Sequence, residues 1–112
     1  MLRKEIVIIF GSSGQLGKEI SSNIDLNSNF QVFPFDKKGC DIGDFEEVRS
    51  KINEIKPTYI INCAAYTNVD KAETDRDKAE LINFRAVANI SQICKEMNIT
   101  CLLYTSDAAD EV

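Results

Sequence analysis

The sequence predicts an α/β fold: a doubly wound parallel sheet with helices on both faces, a three-layer sandwich. Three observations carry this. Apolar runs of strand length, Ile6–Phe10, Phe30–Phe35 and Tyr59–Cys63, alternate with segments whose apolar residues recur every three or four positions. The first run is apolar at every position, the pattern of a strand buried on both faces. That run ends in three glycines spaced three apart, Gly11, Gly14 and Gly17, which turn the chain sharply from strand into helix. Strands and helices that alternate in this way imply right-handed parallel crossovers.

Each element has its own signal. After the glycines, Gln15–Ile24 is expected to be a helix, with Leu16, Ile20 and Ile24 forming a buried stripe at i, i+4 and i+8. Asn27, Ser28 and Asn29 are expected to form a polar loop before the second strand, Phe30–Phe35. Asp36 ends that strand, Lys37–Lys38–Gly39 turns, and Cys40–Asp41–Ile42 is expected as a very short strand. Asp44 then opens a helix as its cap, and Glu47 completes a capping box. Val48, Ile52 and Ile55 supply its apolar face, and Pro57 stops it. Tyr59–Cys63 is the next strand. A long helix over Asp75–Met97 carries Ile82, Ala86, Val87, Ile90, Cys94 and Met97 on one side, with Asn98 as its C-terminal cap. Thr100–Tyr104 is expected as the last strand. Internal repeats and low-complexity tracts are absent, so the chain reads as one domain.

Composition limits what this domain does. The chain has 112 residues and a net charge of −5, which argues against a general nucleic-acid binder. No apolar run approaches the ~20 residues of a membrane-spanning helix. The charged N-terminus runs straight into the first strand without a signal-peptide core, which predicts a cytoplasmic protein. The four cysteines, Cys40, Cys63, Cys94 and Cys101, form no Cys-x-x-Cys pair and read as free thiols. With no histidine in the sequence, no metal site is expected, and Ser-His-Asp and Cys-His mechanisms are excluded.

The glycine stretch is where chemistry enters. A strand that turns into a helix with no side chains in the way lets backbone N–H groups and the helix N-terminus meet a phosphate. The spacing Gly11-x-x-Gly14-x-x-Gly17 is one residue longer than the common Gly-x-Gly-x-x-Gly fingerprint. It follows a strand, opens a helix and has an acid, Asp36, nineteen residues beyond Gly17, the context of a Rossmann-type dinucleotide site. In that arrangement Gly11 makes the turn, Gly14 admits the pyrophosphate and Gly17 lets the helix pack on the strand. The competing reading is a tight structural turn that binds nothing. Asp36 is placed to accept hydrogen bonds from an adenosine ribose, favouring NADH, whereas Lys37 and Lys38 can neutralise a 2′-phosphate, favouring NADPH. Asp41 offers an acceptor to an adenine amino group and Ile42 an apolar wall. The small residues of Asn62–Cys63–Ala64–Ala65–Tyr66–Thr67 allow close approach to the same ligand.

These stretches, together with Ile60–Glu73 and its run Ala64–Ala65–Tyr66–Thr67–Asn68–Val69–Asp70–Lys71–Ala72–Glu73, and with Asn83, resemble the extended short-chain dehydrogenases. Within them, the similarity is to the dTDP-4-dehydrorhamnose reductase group. The resemblance covers residues 5 to about 100. It implies that Gly14, Gln15, Leu16, Asp36, Asp41, Ile42, Ala65, Tyr66 and Thr67 contact NADH or NADPH. It also implies reduction of the 4-keto group of a deoxythymidine-diphosphate sugar, the last step to dTDP-rhamnose.

Two departures mark the chain as the N-terminal part of such an enzyme. In the family a tyrosine donates the proton and a lysine four residues on lowers its pKa. Here Tyr59, Tyr66 and Tyr104 are followed four residues on by Cys63, Asp70 and Ala108, so no catalytic residue is assigned and the pair is expected past the chain's end. The family expects Ser-Thr-Asp-Tyr-Val-Phe-Asp-Gly after its fifth strand. This chain instead has Cys101–Glu111, a string that resembles the translation of a transposon adapter used in preparing sequencing libraries. Residues 1–100 are therefore expected to be an incomplete cofactor-binding domain and 101–112 a non-native read-through tail, with Cys101–Tyr104 still apolar enough to extend as a strand. Such a half sheet exposes an edge and is expected to be marginal in isolation. Two other readings stand beside the reductase: a non-catalytic nucleotide-binding regulatory subunit, and another sugar-nucleotide epimerase or dehydratase of the same superfamily.

Overall fold

The computed structural model describes residues 4–63 and 76–103, with side chains described at 4–63 and 84–103. Its elements run β1 (Glu5–Phe10), α1 (Gln15–Ser21), α2 (Ile24–Asn29), β2 (Phe30–Phe35), α3 (Phe45–Ile55), β3 (Tyr59–Asn62), α4 (Arg76–Met97) and β4 (Thr100–Leu103). The strands form one sheet in the order β2-β1-β3-β4, parallel throughout. β1 is central, paired with β2 from Glu5↔Phe30 to Phe10↔Phe35 and with β3 from Val7↔Tyr59 to Phe10↔Asn62.

Alternation along the strands divides the core into two layers, because successive side chains point to opposite faces. Ile8 and Phe10 of β1 and Ile60 of β3 join Val48, Ile52, Ala86, Ile90, Ile93, Cys94 and Ile99 beneath α3 and α4. Val7, Ile9, Ile61 and Cys63 face the other way, where Leu16, Ile20 and Leu26 of α1 and α2 pack on them. Helices thus cover both faces, the three-layer arrangement that the apolar run of β1 predicted. Ile8, Ile9, Ile60 and Ile90 are fully buried, each contributing about 1.5–3 kcal/mol relative to exposure.

The helix ends follow local chemistry. The Asp44 carboxylate accepts a hydrogen bond from the Glu47 N–H at 3.1 Å and caps α3. The reciprocal half of the expected capping box is replaced: the Asp44 N–H donates to the Asp41 carbonyl oxygen at 2.9 Å. Lys56, at φ 54°, ends α3 before Pro57, its N–H donating to the Ile52 carbonyl oxygen at 2.8 Å. Asn98, at φ 56°, closes α4, and the Ile99 N–H donates to the Cys94 carbonyl oxygen at 2.8 Å, the bond of a Schellman cap.

Three expectations are corrected. The helix expected over Gln15–Ile24 stops at Ser21, and a second helix begins at Ile24. Asn23 breaks the two apart by capping the second: its side-chain oxygen accepts from the Leu26 N–H at 2.8 Å. The break turns Ile24 outward, 80% exposed, and Leu26 takes its place on the core. The polar stretch Asn27–Asn29 is accordingly helical, and the Asn27 side chain donates to the Ser21 and Asn23 carbonyl oxygens. Cys40–Asp41–Ile42 forms no strand, for reasons that belong to the candidate site. Ile93, which the periodicity did not single out, is fully buried on α4.

Candidate functional site

The candidate site lies where the sheet changes direction. β1 is followed by a connection to β2 on one side, and the chain later returns to β3 on the other. In open parallel sheets the crevice outside the carboxyl ends of such strands is where ligands bind. Gly11 leaves β1 at this point, and Cys63 leaves β3 beside it, its N–H donating to the Phe10 carbonyl oxygen at 2.9 Å.

The three glycines serve different purposes. Gly11 has φ 76°, a backbone conformation that side chains disfavour, so the turn itself requires it. At Gly17 a Cβ would stand 2.0 Å from the Gly11 carbonyl oxygen and 2.8 Å from the Ser12 Cα. The first turn of α1 therefore sits directly on the loop. Gly14 is different. Its φ −72° and ψ 168° suit any residue, and a Cβ there would meet only the Gly11 oxygen, at 3.6 Å. Nothing in the described protein requires glycine at 14. Among the described residues only the Gly11 oxygen borders that position, which fits a ligand whose approach a side chain would block. Gly14 is also the N-cap of α1, so no side chain caps that helix, unlike α2 and α3.

The loop is stitched to the end of β2. The Ser12 N–H donates to the Phe35 carbonyl oxygen at 3.0 Å, which brings Asp36 beside the glycines. Asp36 Oδ1 accepts from the Gly39 N–H at 2.8 Å, and the Asp36 carbonyl oxygen accepts from Gly39 and Cys40. A carboxylate has about four lone-pair sites, so this turn leaves Asp36 acceptor capacity for a ribose hydroxyl. Lys37 and Lys38 are exposed in the same turn.

Asp41 repeats the device: its Oδ1 accepts from the Gly43 N–H at 2.9 Å. Here a structural role accounts for a residue that the sequence left to a ligand. The two carboxylates hold the flanking Gly39 and Gly43 N–H groups and the Cys40 N–H turns back to the Asp36 carbonyl oxygen, so the chain runs through two successive turns here and Cys40–Ile42 is not a strand. The signals were in the sequence as Asp36-x-x-Gly39 and Asp41-x-Gly43, side-chain turns with a glycine at the tight position. Ile42 is 8% exposed and packs in the core under α3, so its side chain presents little wall to a ligand. Leu16 likewise packs against the core cluster of Val7, Ile9, Ile61 and Cys63, while Gln15 is exposed on the first turn of α1. Ala64, Ala65, Tyr66 and Thr67 lie outside the described residues, as do Val69–Glu73, and the side chain of Asn83 is also undescribed.

Cys40 is buried between these turns. Burial, with the Glu47 carboxylate second, pushes its thiol up to about 11 despite the opposing Lys51 ammonium. Burial also raises the Cys63 thiol. Among the described residues no cluster of acids, cysteines or histidines is arranged to hold a metal, and no helix is long and apolar enough to cross a membrane.

The profile of the RmlD substrate binding domain matches residues 4–109. The chain belongs to the RmlD family. dTDP-4-dehydrorhamnose reductase from Aggregatibacter actinomycetemcomitans is 34% identical over 101 residues, covering 90% of this chain and 34% of the relative. The reductase from Escherichia coli K12 is 34% identical over 105 residues, again covering 90% and 34%. Among solved structures, dTDP-4-dehydrorhamnose reductase from Bacillus anthracis in complex with NADP superposes with a TM-score of 0.80 at 39% identity, covering 90% of this chain and 36% of that one. L-threonine 3-dehydrogenase from Trypanosoma brucei, at 23% identity and a TM-score of 0.75, shares the fold. The chain thus spans about a third of the length of the curated RmlD-family relatives it matches.

Proposed function

We propose that this chain is the cofactor-binding N-terminal part of an NAD(P)H-dependent reductase acting on the 4-keto group of dTDP-4-dehydro-6-deoxy-L-mannose, the step that yields dTDP-rhamnose. The observation that carries the reading is Gly14. Backbone conformation at 11 and close packing at 17 call for glycine, whereas at 14 a Cβ would meet only ordinary contact among the described residues. A glycine at that position fits the close approach of a pyrophosphate.

In this reading Gly11, Gly14, Gln15, Leu16 and Gly17 form the pyrophosphate cradle. Backbone groups do the binding there, because the Leu16 side chain is packed on the core. Asp36 orients the adenosine ribose with the acceptor capacity that Gly39 leaves it, and Lys37 and Lys38 offer charge to a 2′-phosphate. Asp41 and the backbone of Ile42, whose side chain is packed in the core, border the adenine, and Ala64, Ala65, Tyr66 and Thr67 follow β3 toward the same ligand. When bound in this cradle, the cofactor would supply the hydride for the ketone carbon. The proton must come from a tyrosine with a lysine four residues on, a pair this sequence lacks, so the proposal places it in a further segment of the protein, along with the sugar-nucleotide site. Free thiols fit a cytoplasmic setting, and the tail from about residue 101 is proposed to be non-native.

The gene sequence downstream of Thr100 tests this reading. A Tyr-x-x-x-Lys some twenty or more residues past β4, in a frame that replaces the tail, is the expected result. A complete frame without that pair would favour the non-catalytic nucleotide-binding subunit. Measurable turnover by the 112 residues alone would overturn the placement of the proton donor.

A further inference from the structure

We draw no further inference here: the strongest candidate, the Cys94–Cys101 thiol pair that joins the last turn of α4 to β4 in the core, rests on shifted thiol protonation alone and includes a residue that the sequence reading places in the non-native tail.

Discussion

Adding one methyl group separates the two roles assigned to the glycine loop. At Gly17 the new Cβ of a Gly17→Ala variant would stand 2.0 Å from the Gly11 oxygen, 2.8 Å from the Ser12 Cα and 2.9 Å from the Gly11 carbonyl carbon. All three are backbone atoms, so no side chain can rotate away. Either α1 or the loop must retreat by more than an ångström to restore van der Waals contact. Overpacking of this kind costs about 1–3 kcal/mol, and a clash confined to backbone belongs at the upper end, near ~3 kcal/mol. In a domain of this size that lowers the melting temperature by about 15 °C. At Gly14 the same methyl group meets the Gly11 oxygen at 3.6 Å on a backbone any residue adopts. The gain from a stiffer unfolded chain, about 0.4–1 kcal/mol, is offset by alanine's poorer fit at an N-cap. Gly14→Ala should therefore be close to neutral. Urea unfolding followed by far-ultraviolet circular dichroism reads both variants. Equal destabilisation at the two positions, or a tolerated Gly17→Ala, would refute the division of labour.

Three further perturbations address other links. Asp44→Ala removes the carboxylate that caps α3 through the Glu47 N–H and should cost about 1 kcal/mol in the same urea assay; no change would mean that the cap contributes nothing. Ile24→Lys should fall within about 0.5 kcal/mol of the parent, because Ile24 is 80% exposed, and a loss of 2 kcal/mol or more would restore the buried stripe. The Cys40 thiol gives a pH dependence of known sign. Its folded pKa, about 11, lies above the ordinary 9.0, so the folded chain holds a proton that the unfolded chain releases. The stabilisation is fully present below pH 9 and declines as pH rises from 9 through 11, by up to about 2–3 kcal/mol at ~1.4 kcal/mol per pKa unit. Urea midpoints at pH 8 and 10.5 should fall more for the parent than for Cys40→Ala; parallel declines would show that Cys40 is not the titrating group.

The sheet was legible because burial on both faces writes an unbroken apolar run, as in Ile6–Phe10, and because a turn from strand to helix needs glycine. The region before β2 was misread where a short polar residue competed with periodicity. Asn23 satisfies the Leu26 N–H, so the chain starts a second helix and the i+8 partner of Leu16 rotates outward. Periodicity assumes an unbroken helix and cannot register such a restart. The short strand expected at Cys40–Ile42 failed for a related reason: carboxylates at 36 and 41 bind the N–H groups of the flanking Gly39 and Gly43 and set two turns around it. The glycine and acid positions of the candidate site were chosen as residue types in context. Reading the sequence could not show that, among the described residues, Gly14 has neither the positive φ of Gly11 nor the close backbone neighbours of Gly17 at its absent Cβ, because that depends on the folded backbone and on what surrounds each position. Nor could it show that the Ile42 and Leu16 side chains are committed to the core, since a residue's neighbours across the sheet are set by tertiary packing.

The most direct test of the central claim is the affinity of NADPH and NADH for the protein made from the complete reading frame, compared with its Gly14→Val variant by titration calorimetry. The parent should bind at least one of the two. Gly14→Val should retain a cooperative unfolding transition, because a Cβ there meets only the Gly11 oxygen among the described residues, and should lose at least tenfold in affinity, about 1.4 kcal/mol or more. Unchanged affinity in a folded Gly14→Val protein would contradict the assignment of the Gly11–Gly17 loop as the pyrophosphate cradle.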